Sequence, residues 1–150
     1  FFLRLPLTPP PALPRILRRR LQMVFRASPL AFTQALHSYF PTRDISRTRV
    51  LGLGGSQYTD TLDNWEYRTQ DGPVYFEGET DRIYESGEPL TIVTPRTGRK
   101  LSAVGSDSTV VWNPGPAKAA KLSDFPDTAW QSMLCVETAT AAGDYRALKY

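Results

Sequence analysis

Ser108-Thr109-Val110-Val111-Trp112-Asn113-Pro114 is the stretch whose reading decides the fold. Thr109 to Trp112 is β-branched and aromatic, the composition that fits a pleated, packed surface. The run stops at Asn113-Pro114, because proline cannot donate to a ladder and restricts the residue before it. Working outward, Met133 to Thr138 is a second run of the same kind. Ala31 to Phe40 alternates and is rich in aromatics, and Thr48 to Leu53 ends at the Gly54-Gly55 turn signal. Val74 to Glu77 follows an Asp71-Gly72 turn, and Arg82 to Tyr84, Leu90 to Thr94 and Leu101 to Val104 are further short runs. Strands roughly ten residues apart with turn signals between them predict an all-β chain, folded as an antiparallel β-sandwich. One or two short helices are expected, at Ala117 to Leu122 and at Asp127 to Ser132. There is no internal repeat.

A chain of 150 residues is long enough for one domain with a real core. Thirteen prolines and ten glycines favour strands and loops over long helices. The net charge of +3 is unevenly placed: seven arginines and no acid or lysine lie in residues 1–43, which leaves −4 for the rest. Residues 1–28 read as a basic, Pro- and Arg-rich segment, either a poorly ordered terminus or an organelle transit segment, and residues 29–150 as the sandwich. The expected location is the cytoplasm, or a plastid if the head is a transit segment. The basic run is short and lacks a matching fold signature, so nucleic acid is not an expected partner. No apolar run approaches a membrane span. Cys135 is the sole cysteine, which rules out an intrachain disulfide and mildly favours a reducing compartment.

Several polar residues on these strands could carry chemistry, and each has an ordinary structural reading. His37 is the only histidine and reads as a half-buried strand residue bonded to a carbonyl. Glu137 reads as a strand-end glutamate, and Asp81, beside Arg82, as a turn acid. Trp112 reads as core packing or as an exposed aromatic platform for a ligand. Gly52-Leu53-Gly54-Gly55 lacks the lysine and the spacing of a phosphate loop. No His/Cys spacing suggests a metal site, and no cofactor is implied.

Four blocks change the balance: Ala35-Leu36-His37-Ser38-Tyr39-Phe40, Phe76-Glu77-Gly78-Glu79-Thr80-Asp81-Arg82-Ile83-Tyr84, the Val-Val-Trp-Asn-Pro stretch, and Met133-Leu134-Cys135-Val136-Glu137. Their order and spacing resemble the glucose-6-phosphate 1-epimerase (hexose-6-phosphate mutarotase) branch of the aldose 1-epimerases. The resemblance implies a galactose-mutarotase-like supersandwich and a hexose 6-phosphate substrate, whose α and β anomers interconvert by ring opening. It assigns His37 as general acid, Glu137 as general base and Asp81 as acceptor of sugar hydroxyls, with Trp112 and Asn113 at the substrate. Mutarotation needs a proton delivered to the ring oxygen and another removed from the C1 hydroxyl, and a histidine with a carboxylate suits both transfers.

The chain also departs from the family. Gly115 stands where the family usually has a tryptophan after Asn-Pro, which would weaken a pocket wall. The family's first histidine and its phosphate-binding arginines have no counterpart, and the tail after Glu137 differs. The resemblance therefore covers the C-terminal half of the family domain, and an incomplete sandwich is expected, with uncovered edges open to self-association. The alternative reading is a non-catalytic carbohydrate-binding or interaction domain derived from the family.

Overall fold

The computed structural model describes residues 30–144 and 146–148; the basic segment 1–28 lies outside the described residues. Twelve strands occur among these residues: β1 (Leu30–Phe32), β2 (Gln34–Leu36), β3 (Tyr39–Pro41), β4 (Arg49–Leu51), β5 (Gln57–Asp60), β6 (Glu66–Thr69), β7 (Thr80–Tyr84), β8 (Leu90–Val93), β9 (Gly98–Leu101), β10 (Ser108–Asn113), β11 (Met133–Thr140) and β12 (Arg146–Leu148). One short helix, α1 (Gly115–Ala119), follows β10. A seven-stranded antiparallel sheet runs in the order β2-β11-β10-β7-β5-β6, with β3 also paired to β11. A three-stranded sheet, β4-β8-β9, packs against it, and β1 pairs with β12. The chain is thus mostly antiparallel β-structure, as its alternation predicts.

Strand periodicity divides the large sheet into two chemically different faces. Val111 pairs with Val136 and with Arg82, and Thr109 pairs with Tyr84. The face carrying Val111, Leu134, Val136, Tyr58 and Tyr84 meets Val50, Leu90 and Ile92 of the smaller sheet, and all of these are buried in one cluster. Each such side chain contributes about 1.5–3 kcal/mol by leaving water. The Tyr58 and Tyr84 rings sit 5.0 Å apart, with the Arg82 guanidinium 5.0 Å above Tyr58. Burial pushes the Tyr84 hydroxyl up to about 12, and it donates to Gln70 Oε1 at 2.7 Å. The opposite face carries Val110, Trp112, Cys135, Glu137, Asp81 and Ile83, and no second sheet covers it among the described residues.

Several elements differ from the sequence reading. Ala31 to Phe40 is three short strands, because pairing lapses at Thr33 and at His37-Ser38. Val74 to Glu77 makes only an isolated bridge, Val50 to Val74, since Pro73 and Gly78 bracket too short a run. The strand expected at Leu101 to Val104 lies earlier, at Gly98–Leu101: Thr94 N–H donates to Thr97 O at 2.8 Å and closes a turn that sets Gly98 opposite Val93. Tyr58-Thr59-Asp60 lies in β5, with Asp60 Oδ2 3.6 Å from Arg82 Nε on the inner face. The helix starts at Gly115, earlier than Ala117, and the segment before β11 is a 3-10 turn, Ala129–Ser132.

Candidate active site

β11 supplies Glu137 and fixes the residue opposite it. Leu36 pairs with Thr138, and Tyr39 pairs with Cys135, in one continuous register. The residues between, His37 and Ser38, therefore lie opposite Glu137 and Val136, and Val136 N–H donates to Ser38 O at 3.1 Å. Ladder bonding stops at His37, yet its side chain stays on the open face. His37 Nδ1 lies 2.9 Å from Glu137 Oε1, with the His37 side chain 67% exposed and that of Glu137 5% exposed. A buried carboxylate needs partners to offset its lost hydration. Glu137 has two: His37, and the Cys135 thiol, which donates to Oε1 at 3.3 Å.

Cys135 and Glu137 are two residues apart on one strand, so they share a face. Burial, and then the Glu137 carboxylate, raise the thiol well above the ordinary cysteine range, so it stays a protonated donor. Tyr39 stands beside them; burial first, then Cys135 and Glu137, raise its hydroxyl above the usual tyrosine value. Its ring meets Trp112 edge-on, with centroids 6.5 Å apart at 88°.

Trp112 pairs with Cys135 on one side and with Asp81 on the other. It is half-buried on the open face, so the core position in β10 belongs to Val111 instead. Two strand spacings and one two-residue step separate Glu137 from Asp81, about 12 Å between Cα atoms. Both residues lie on the open face, with Trp112 on the strand between them. Asp81 is half-buried, and desolvation raises its carboxyl above the usual range, against the lowering effects of Thr61 and Lys118. Thr61 also holds the strand, its N–H and hydroxyl both reaching Asp81 O at 3.1 Å.

Asn113 does not join this set. It points to the inner face and is 1% exposed. Its Nδ2 donates to Trp130 O and Met133 O, both at 2.9 Å, and its Oδ1 accepts from Gly115 N–H at 2.9 Å. The amide is thus fully engaged in tying β10 to the approach to β11, which corrects its expected substrate contact. Gly115 is also structural here. Its φ is +58°, and an added Cβ would lie 2.6 Å from Glu79 N. The close approach brings α1 against the Gly78-Glu79 turn, where Lys118 Nζ meets Glu79 Oε1 at 3.1 Å. No tryptophan fits at 115 in this backbone.

Two clefts lie elsewhere. One of about 190 Å³ is lined by Phe40, Leu90, Leu101 and Val136 on the inner-face side; Glu137 also borders it, but His37, Asp81 and Trp112 do not. Another of about 280 Å³ is lined by Gln70, Tyr75, Glu77 and Arg82. Sequence reasoning missed the neighbours of the His37–Glu137 pair, Cys135 and Tyr39. The two-residue steps from Cys135 to Glu137 and from His37 to Tyr39 were the available signal. Spacing along the chain suggested no His/Cys cluster, but folding brings the ligand-type atoms of His37, Cys135 and Glu137 within 4.8 Å of one another.

Comparison with known proteins agrees with this fold. Residues 18–149 match the aldose 1-epimerase family. The chain belongs to that family. It is 34% identical over 120 residues to an Escherichia coli protein described as "putative glucose-6-phosphate 1-epimerase", covering 78% of this chain and 41% of that one. A Cenchrus ciliaris protein of the same description is 37% identical over 115 residues, covering 74% of this chain and 35% of the relative. The crystal structure of a "putative mutarotase (YeaD)" from Salmonella typhimurium superposes with a TM-score of 0.73 at 32% identity, over 81% of this chain and 42% of that one. The chain therefore spans about two-fifths of the length of the proteins it matches.

Proposed function

We propose that the chain carries the ring-opening centre of a hexose-6-phosphate mutarotase, with Glu137 as general base, His37 as general acid and Asp81 as the anchor for sugar hydroxyls. The observation that carries this reading is the 2.9 Å contact between His37 Nδ1 and Glu137 Oε1 on the same open face as Asp81. In a cyclic sugar the C1 hydroxyl and the ring oxygen are bonded to the same carbon. A touching acid and base can therefore serve both atoms once the sugar parts them. Glu137 takes the C1 hydroxyl proton as the imidazolium of His37 gives one to the ring oxygen; the C1–O5 bond breaks and the aldehyde forms. Rotation about C1–C2 and reversal of the transfers close the other face. Cys135 donates to Glu137 and holds the carboxylate in place. The 6-phosphate preference is supported by the names of the relatives, which describe glucose-6-phosphate 1-epimerases.

Exchange-spectroscopy NMR of glucose 6-phosphate tests the reading. The chain should raise anomer exchange above the spontaneous rate, and His37→Asn or Glu137→Gln should each remove about a hundredfold or more of the enhancement. An unchanged rate in either variant contradicts the assigned roles. One observation favours a second reading, a sugar-binding module without turnover: the imidazole caps Glu137, which is only 4% exposed as a residue. Binding retained alongside spontaneous-rate exchange in the wild type would select it.

A further inference from the structure

We propose that His37, Cys135 and Glu137 together form a site for a thiophilic divalent cation of the Zn²⁺ type, and that the bound cation silences the acid-base pair. The donor set is an imidazole nitrogen, a thiol sulfur and a carboxylate oxygen, the three protein ligand types that zinc takes. His37 Nδ1 to Glu137 Oε1 is 2.9 Å, Cys135 Sγ to Glu137 Oε1 is 3.3 Å, and all the ligand atoms lie within 4.8 Å of one another.

Bond lengths of about 2.0–2.3 Å around a tetrahedral ion put neighbouring ligand atoms about 3.3–3.7 Å apart. The Cys135–Glu137 distance of 3.3 Å already falls at the edge of that range and the His37–Glu137 distance of 2.9 Å is a few tenths of an ångström short, so His37 must draw back slightly. His37 can supply the movement, because its side chain is 67% exposed and its ladder bonding has lapsed. Cys135 and Glu137 are fixed on a central strand and need not move. The fourth position faces the open side of the sheet, where solvent can complete the shell. Trp112 and Tyr39 flank the group and bring no competing cation.

The binding step balances simply: the cation displaces the thiol proton and the His37 Nδ1 proton to solvent, and the neutral ring, protonated at Nε2, ligates through Nδ1. Afterwards the Nδ1 lone pair, the Glu137 Oε1 and the imidazolium charge are taken up by the cation, which weakens the ring as an acid and the carboxylate as a base. The inhibition depends on the mutarotase reading; the metal site does not, and the two fail separately in the experiment.

Co²⁺ serves as a spectroscopic stand-in for Zn²⁺. Titration of the full chain should give a thiolate-to-cobalt charge-transfer band saturating at one equivalent, displaced by Zn²⁺. His37→Ala should weaken cobalt binding at least tenfold; because the residue is exposed, this variant keeps the fold. Cys135→Ala should abolish the band. A wild-type chain with no such band, or a His37→Ala variant that binds cobalt as tightly as wild type, overturns the site. A normal band accompanied by undiminished anomer exchange at saturating Zn²⁺ overturns the silencing and leaves the site standing. Zn²⁺ inhibition that persists unchanged in Cys135→Ala would also overturn the proposal, since it would place the effect elsewhere.

Discussion

At the scale of the residue, burial sets what each carboxyl group can do. Glu137 is sunk below His37 and bonded by Cys135, whereas Asp81 is half-buried and its carboxyl is raised by desolvation. A raised folded-state pKa means that the folded chain binds the proton more tightly than the unfolded chain. The stability from Asp81 is then full below its unfolded value of about 3.9 and is lost as pH rises through the folded value. Asp81→Asn removes that loss. The variant should melt higher than wild type at pH 7.5, and the difference should shrink toward zero near about pH 4. Its affinity for the sugar should fall even as its stability rises, because an ionised acceptor of hydroxyl hydrogens has gone. Melting curves at the two pH values check this, and a variant less stable than wild type at pH 7.5 would show that Asp81 is held by partners stronger than the desolvation. His37 and Glu137 were legible in the sequence only through the blocks in which they sit. Composition alone favours an ordinary strand histidine, and nothing local shows that the register of β2 and β3 would set it opposite Glu137.

At the scale of the element, β10 and its exit decide how the open face is held. Asn113 and Gly115 act as one device: the Asn113 amide ties Trp130, Met133 and Gly115, and the bare Cα of Gly115 admits the Glu79 backbone. Asn113→Ala leaves two carbonyls and an N–H without their partner, each costing about 1–3 kcal/mol if water does not replace it. Gly115→Ala adds a Cβ 2.6 Å from Glu79 N at a φ of +58°. It should cost at least about 1 kcal/mol, by the strain of a left-handed backbone alone. Urea denaturation of both variants checks these values, and a fully stable Gly115→Ala would mean that the Gly78-Glu79 turn yields freely. Strands with one apolar face, such as β8, β10 and β11, were plain in the sequence. β5 and β6 were not, because Asp60, Asp63 and Asn64 look like turn residues; the Arg82 that faces Asp60 comes from a strand twenty-two residues on. Val74 to Glu77 failed for the opposite reason, having strand composition but only one bridge partner.

At the scale of the whole molecule, the large sheet has an apolar side that is covered and a site side that is open. β6 is its outer strand, exposed at every residue, and the neighbouring Trp65, Tyr67 and Tyr75 are each more than half exposed. Unpaired edge groups beside aromatic surface favour association between copies. Sedimentation of the chain should show a weight-average mass that rises with concentration, and Tyr67→Lys should lower it; a strict monomer throughout would remove this expectation. No described helix is long and apolar enough to cross a membrane. In the proposed function a hexose 6-phosphate sits on the open face between Glu137 and Asp81, above Trp112. The most direct test is an amide NMR titration of the chain with glucose 6-phosphate. Shifts should be confined to His37, Asp81, Trp112 and Glu137 and their strand neighbours. Shifts centred instead on Leu90, Leu101 and Ser102 in the inter-sheet cleft, or no shifts at saturating sugar, would contradict it.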